Sequence, residues 1–230
     1  MPAYRFFLDS RFIVGEIYEL PPSEKSHVRV MRIHEGNELE LVNGLGQLAK
    51  ALLERKGIVK VTDVYERPPK REVILCQAIP RLNRLDTIVE KGTELSMTHL
   101  WLFAGERSEK KCVGAQRLER LHSISISALK QSGRLYLPII EEKPPLKEWL
   151  LLPHQAFFGD LEKKSYPFAP NDQNICFFIG PEAGWSDQEK IKLCELGAIG
   201  VRLGPNILRT DTASLVALSL VQLNGEYNDS

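Results

Sequence analysis

The sequence has no net charge, no long apolar run and few cysteines, and each shortage removes a class of protein. Thirty Lys and Arg residues offset thirty Asp and Glu residues. A nucleic-acid partner would therefore have to be held by local basic patches and not by an overall positive field. Nothing approaches the roughly 20 consecutive apolar residues that a membrane-spanning helix needs, and Met1-Pro2-Ala3-Tyr4-Arg5 does not open a secretory signal. The expectation is a cytoplasmic protein with no membrane partner. Cys76, Cys112, Cys176 and Cys194 are scattered without a C-x-x-C pair, which disfavours a zinc site or a disulfide scaffold and predicts buried free thiols and no metal. Also missing are a G-x-G-x-x-G fingerprint and a G-x-x-x-x-G-K-[ST] phosphate loop, so ordinary nucleotide-cofactor folds are disfavoured. There is neither an internal repeat nor a low-complexity tract.

What is present is a chain of 230 residues, 43% hydrophobic, enough for one large or two small domains with a packed core. Up to about residue 79 it alternates with the two-residue period of strands, as in Glu38-Leu39-Glu40-Leu41 and Val59-Lys60-Val61-Thr62-Asp63-Val64. Helical periodicity is nearly absent there. Asn43-Gly44 between apolar stretches is a hairpin signal, because both residues tolerate positive φ. A small, mostly antiparallel barrel or sandwich is expected. Arg67-Pro68-Pro69-Lys70-Arg71 then punctuates the chain, since paired prolines stiffen it and remove two ladder donors. This sets the expected domains at residues 1–70 and 71–230.

Beyond that boundary strands alternate with helices, the pattern of an α/β domain with a parallel sheet. Glu72 to Ile79 reads as a strand and Leu85 to Leu95 as a helix. A longer helix over about 115–132 places Leu118, Leu121, Ser125, Ala128 and Leu129 on one face, with Gly133 suited to the position after its end. Buried strands follow at Gln155-Ala156-Phe157-Phe158, Ile175-Cys176-Phe177-Phe178-Ile179 and Val201-Arg202-Leu203.

Two segments carry the chemistry. In the first, Phe177-Phe178-Ile179-Gly180-Pro181-Glu182-Ala183-Gly184-Trp185, a buried strand runs into a turn whose glycines let a ligand approach the backbone. Ser186-Asp187-Gln188-Glu189 then reads as a capping box that opens a helix. The second, Leu203-Gly204-Pro205-Asn206-Ile207-Leu208-Arg209-Thr210-Asp211-Thr212-Ala213, repeats the order of strand end, glycine turn and helix, with Thr210 or Asp211 as the cap. Arg209 has no evident structural duty, so it suits either an anionic partner or a surface salt bridge.

These two segments, in this order near the end of the chain, resemble the RsmE family of the SPOUT methyltransferases, where the corresponding stretches read GPEGG and LGxxILRxETA. The resemblance covers nearly the whole chain. Tyr4-Arg5-Phe6-Phe7 looks like the family's opening strand. His27-Val28-Arg29-Val30-Met31-Arg32, followed by Gly36, is similar to its H-x-x-x-V-L-R motif. Glu90-Lys91-Gly92-Thr93-Glu94-Leu95 resembles Q-K-x-T-E-L-G, Glu106-Arg107-Ser108 resembles S-E-R-S, and Gln131-Ser132-Gly133-Arg134 resembles Q-S-x-R. Ala183 stands where the pattern has its second glycine, Trp185 for phenylalanine, Ser96 for glycine, Asn206 for a common arginine and Asp211 for glutamate.

The resemblance implies a PUA-like RNA-binding β-barrel followed by a trefoil-knotted α/β methyltransferase domain that forms a homodimer. It implies S-adenosylmethionine as cofactor and N3 of a uridine in the 16S RNA of the small ribosomal subunit as target, with free RNA or the assembled subunit as partner. Arg134 and Arg209 are the candidates to stabilise the anionic uracil. Phe158 and Gly159, with Ile179, Gly180, Glu182 and Gly184 from the first segment and Leu203, Gly204, Ile207, Leu208, Thr212 and Ala213 from the second, are the candidates to hold the cofactor. RNA contacts are expected from Arg5, His27, Arg32, Arg81, Arg84 and Arg107, with Lys70, Arg71, Lys110 and Lys111 nearby; a solvated surface is the alternative for each. Glu94 is expected either near the pocket or in a helix-face ion pair with Lys91 or an arginine. Two other readings stay open: a non-catalytic RNA-binding or assembly factor, which Ala183 favours, and a methyltransferase for another RNA base.

Overall fold

The computed structural model describes residues 4–68, 71–162, 166–168 and 173–226. The chain divides into two compact units, one of residues 1–70 with 126–137 and one of residues 71–125 with 138–230. Residues 126–137 thus leave the continuous second domain expected from the sequence. Lys70, one of the expected RNA contacts, lies outside the described residues.

The first unit holds β1 (Arg5–Phe7), β2 (Ile17–Glu19), α1 (Pro22–Val30), β3 (Glu38–Val42), β4 (Gln47–Leu53) and β5 (Ile58–Glu66). These strands form one sheet in the order β1-β3-β4-β5-β2. β1 runs parallel to β3 and the other neighbours are antiparallel. The β3–β4 hairpin turns at Asn43-Gly44, as its residues predict. Gly44 has φ 73°, and the buried Asn43 side chain accepts from the backbone N–H groups of Leu45 and Gln47 at 2.9 and 3.1 Å. Alternate strand residues Leu39, Leu41, Val59 and Val61 meet Phe6, Phe12 and Leu20 in the core. Helix α1 corrects the expectation of an all-strand region. Pro22 sits at its first position, where a missing N–H costs nothing, and only Glu24 and Val28 are buried, too few to print a helical period on the sequence.

The second unit carries β6 (Val73–Ala78), α2 (Leu82–Glu94), β7 (His99–Phe103), the first part of α3 (Ala115–Ser132), β8 (Ile139–Lys143), β9 (Gln155–Gly159), β10 (Tyr166–Pro167), β11 (Ile175–Ile179), α4 (Asp187–Glu195), β12 (Ile199–Arg202) and α5 (Thr210–Glu226). Its seven-stranded sheet has the order β10-β12-β9-β11-β6-β7-β8, and every neighbouring pair is parallel. A parallel sheet is covered on both faces, so its central strands read as unbroken apolar runs. All residues of β6 and β11 are buried accordingly. On one face Leu75, Phe177 and Ile179 pack with Leu85 and Ile88 of α2 and Leu218 and Val221 of α5. On the other, Cys76, Phe158 and Phe178 pack with Phe103, Trp149 and Trp185. Cys76 and Cys176 are buried thiols, whereas Cys112 and Cys194 are exposed, because each of these lies on a loop or helix face outside both cores. Among the described residues no helix is long and apolar enough to cross a membrane.

Candidate functional site

Strands β9, β11 and β12 are neighbours in the sheet, so the loops at their carboxyl ends converge. Such ends are where open α/β sheets bind ligands. A cavity of about 600 Å³ opens there, walled by 159–161, 179–185, 202–204 and 206–210, with Arg84, Arg107, Lys190 and Ala213 also lining it. The volume lies in the range of cofactor pockets.

The turn after β11 is built around Trp185. Its indole Nε1 donates to the Gly159 carbonyl at 3.0 Å, and its ring stacks on Phe103 at 6.3 Å with an interplanar angle of 6°. A Cβ on Gly180 would come within 3.2 Å of that indole, so a side chain there would need the tryptophan to give by a few tenths of an ångström. Gly184 adopts φ 71° and its N–H closes the turn onto the Pro181 carbonyl at 2.9 Å. Ala183 is not among the residues with positive φ, so its methyl group carries no backbone strain. The capping box read from the sequence is present: the Ser186 hydroxyl accepts from the Glu189 N–H at 3.0 Å, and the Glu189 carboxylate accepts from the Ser186 N–H at 2.9 Å.

The second wall ends in α5, which begins at Thr210. Neither Thr210 nor Asp211 precedes that helix. Arg209 does, and its carbonyl accepts the first-turn N–H of Ala213 at 2.7 Å. The Thr210 hydroxyl is turned inward instead and donates to the Gly180 carbonyl at 2.8 Å, which joins the two walls. Among the described residues, chain neighbours aside, no atom lies within 4 Å of where a Cβ would stand on Gly184 or Gly204, so bare backbone is open at both cavity turns.

Charge is arranged as cations set between pairs of carboxylates. Arg84 lies 2.9 Å from Glu182 and 2.7 Å from Asp211. Lys190 lies 3.1 Å from Asp160 and 2.7 Å from Glu162. Burial pulls the Lys190 ammonium down, but those two carboxylates outweigh it and leave it above the ordinary lysine value. Arg107 donates to the Ala183 carbonyl at 3.3 Å, and Arg202 and Arg209 line the cavity with exposed side chains.

Of the residues expected to hold a cofactor, Gly159, Ile179, Gly180, Glu182, Gly184, Leu203, Gly204, Ile207, Leu208 and Ala213 meet at this cavity. Phe158 and Thr212 do not: Phe158 is in the core, and Thr212 is exposed on α5. Arg209 lines the cavity, while Arg134 belongs to the first unit, where burial pulls its guanidinium down to about 10. Of the expected RNA contacts, Arg84 and Arg107 are at the cavity, and Arg81 is paired with Glu109 at 2.9 Å. Arg5 is paired with Glu40 at 2.7 Å, His27 packs against Phe6, and Arg32 is exposed in a left-handed conformation with φ 54°. Arg71 donates to the Val221 carbonyl and Lys111 to the carbonyls of Gly105 and Glu106, so both have structural duties. Glu94 is in the ion pair with Lys91, at 2.8 Å. Asp160, Leu161, Lys190 and Arg202 complete the cavity and were not foreseen; the charged residues among them stand at strand ends or on a helix, where a solvated surface is the default.

A sequence model of an RNA methyltransferase domain matches residues 66–222. Among curated proteins, the chain is 30% identical to the ribosomal RNA small subunit methyltransferase E of Aquifex aeolicus, over 90% of this chain and 94% of that one. It is 28% identical to the protein of the same name from Mycobacterium bovis, over 96% and 92%. Among solved structures, it superposes with a TM-score of 0.85 on ribosomal RNA small subunit methyltransferase E from Neisseria gonorrhoeae bound to S-adenosylmethionine. That pair shares 28% identity over 96% of this chain and 98% of the other. A putative methyltransferase from Legionella pneumophila, also with bound S-adenosylmethionine, gives a TM-score of 0.87 at 27% identity, over 97% and 98%.

Proposed function

The chain belongs to the RsmE family of RNA methyltransferases, and on that premise we propose that it methylates N3 of a uridine in the 16S RNA of the small ribosomal subunit. The observation that carries this reading is the cavity at the carboxyl ends of β9, β11 and β12, on a fold whose solved relatives hold S-adenosylmethionine. The residues present fit that cofactor. Bare backbone at Gly184 and Gly204 leaves space against the turns, Ile179, Leu203 and Leu208 supply apolar walls, and the volume suits a nucleoside with a short tail.

When bound, S-adenosylmethionine supplies an activated methyl group and a neutral leaving group. The protein's part is positioning, the exclusion of water and control of one proton. N3 of uracil carries a proton that has to leave, and the negative charge spreads onto the flanking oxygens. A fixed guanidinium stabilises charge that develops there. Arg209, exposed at the cavity and held by its backbone at the start of α5, suits this role; Arg134, half-buried in the first unit, is the second candidate. Arg5, His27, Arg32, Arg81 and Arg107 are the candidates for RNA contact, and a base entering a closed pocket must first leave its stack.

The finer architecture follows from the same membership. The first unit closes as a PUA-like barrel, the second is knotted, and the protein acts as a cytoplasmic homodimer on free RNA or the assembled small subunit. The backbone at Ala183 needs no glycine, which weakens the case for a non-catalytic factor. Mass analysis of nucleosides from the 16S RNA of cells lacking the protein tests the target. Loss of N3-methyluridine is expected, and loss of a methyl group on another base contradicts the assignment.

A further inference from the structure

With the cavity read as the cofactor site, we propose that Arg84 is a positioning residue of that site, a role that rests on that reading: it clasps the turn after β11 to the first turn of α5. Arg84 belongs to the first turn of α2, and four-fifths of its side chain is buried. Its Nε lies 2.9 Å from Glu182 Oε1 in an ion pair that lacks hydrogen-bond alignment, while a terminal nitrogen donates to Asp211 Oδ1 at 2.7 Å. One carboxylate comes from each wall of the cavity. The backbone N–H of Arg81 also donates to Glu182 Oε1, at 3.1 Å, so the start of α2 grips that turn twice.

A guanidinium is a rigid plane with donors on several edges, so one arginine holds two carboxylates at a set separation, which a lysine ammonium on a flexible stem does not. With all three side chains between 20% and 29% exposed, the attraction is screened less than in an open surface pair. Without Arg84 the two carboxylates lose the cation they share, and the walls they belong to spread. For an RNA phosphate to reach Arg84, it would have to displace one of them. The arginine expected from its charge to touch RNA therefore serves the cavity.

The clasp and plain electrostatics predict different things. S-adenosylmethionine carries a sulfonium cation, so on charge alone Arg84→Ala would tighten its binding and Asp211→Asn would weaken it. If the clasp sets the cavity's shape, both variants weaken it.

Calorimetric titration of the full-length protein with S-adenosylmethionine, together with steady-state methyl transfer, separates the cases. Expected are a loss of cofactor affinity of about tenfold in both Arg84→Ala and Asp211→Asn and a smaller loss in Arg84→Lys. The Arg84→Ala/Asp211→Asn double variant should be no worse than Arg84→Ala alone. With saturating cofactor, kcat stays within about twofold and the KM for ribosomal RNA is unchanged. Unchanged affinity in Arg84→Ala, opposite shifts in the two single variants, or a defect confined to the RNA KM each overturns the clasp. If Arg84→Ala does not fold, Asp211→Asn and Arg84→Lys carry the same comparison. Failure of the wild-type protein to bind S-adenosylmethionine overturns the cofactor reading itself, and the clasp with it.

Discussion

The hydroxyl of Ser214 in α5 donates to the side-chain carbonyl of Gln77 in β6 across 2.7 Å, and neither residue is exposed to solvent. The amide nitrogen of Gln77 in turn donates to the Thr210 hydroxyl at 3.0 Å, which donates to the Gly180 carbonyl. This buried polar chain runs beneath the cavity and fixes the start of α5 against β6 and β11. Ser214→Ala leaves a buried carbonyl oxygen without its donor, at a cost of about 1–3 kcal/mol. Urea denaturation measures the loss, and a change under about 0.5 kcal/mol would contradict the role given to the chain.

Ser96 follows α2 with φ 61°, a conformation that penalises a residue with a Cβ by roughly 1 kcal/mol. Ser96→Gly, the residue the RsmE pattern has there, should stabilise the protein by up to about 1 kcal/mol, partly offset by the greater freedom of glycine in the unfolded chain. An unchanged or lowered denaturation midpoint would show that the Ser96 side chain compensates for its strain.

At the neighbouring departures the expectation differs. Ala183→Gly should leave the KM for S-adenosylmethionine within about twofold, because Ala183 lacks positive φ. Gly184→Ala, at φ 71°, should raise it. Equal responses in the two variants would mean that backbone conformation does not govern this turn.

Much of this arrangement is legible in the sequence. Ser186 and Glu189 declare their capping box because it is local, and the apolar run of β11 declares itself because both sheet faces are covered. Helix α1 is hidden because a helix with two buried residues leaves no period. The pairing of Arg84 with Asp211 is hidden for a different reason. It joins residues 127 apart in the chain, and only the packing of α5 beside α2 brings them together. Thr210 and Asp211 look like caps because their side chains are cap-formers, yet tertiary partners claim both.

Arg134 binds its proton less firmly in the folded protein than in the unfolded chain, because burial pulls its guanidinium down to about 10. The unfolded chain therefore holds more protons from about pH 10 up to the ordinary arginine range, stability from this group rises with pH across that window, and the full cost is present below it. The gap between the wild-type and Arg134→Met denaturation midpoints should therefore shift in favour of the wild type above pH 10, while methyl transfer falls in the variant. A gap that stays constant across that window would contradict the shift.

The proposed role of Arg209 makes its removal a catalytic defect. Arg209→Ala should lower kcat by on the order of 100-fold, as loss of a fixed donor to a developing anion does, with cofactor affinity little changed. A defect seen only in KM would assign Arg209 to binding.

The most direct test of the central claim is transfer of label from S-adenosylmethionine by the purified protein to small ribosomal subunits that lack the modification, with the product nucleoside identified. Label recovered as N3-methyluridine is the predicted result. Label on any other nucleoside, or none from a protein that binds no cofactor, would contradict it.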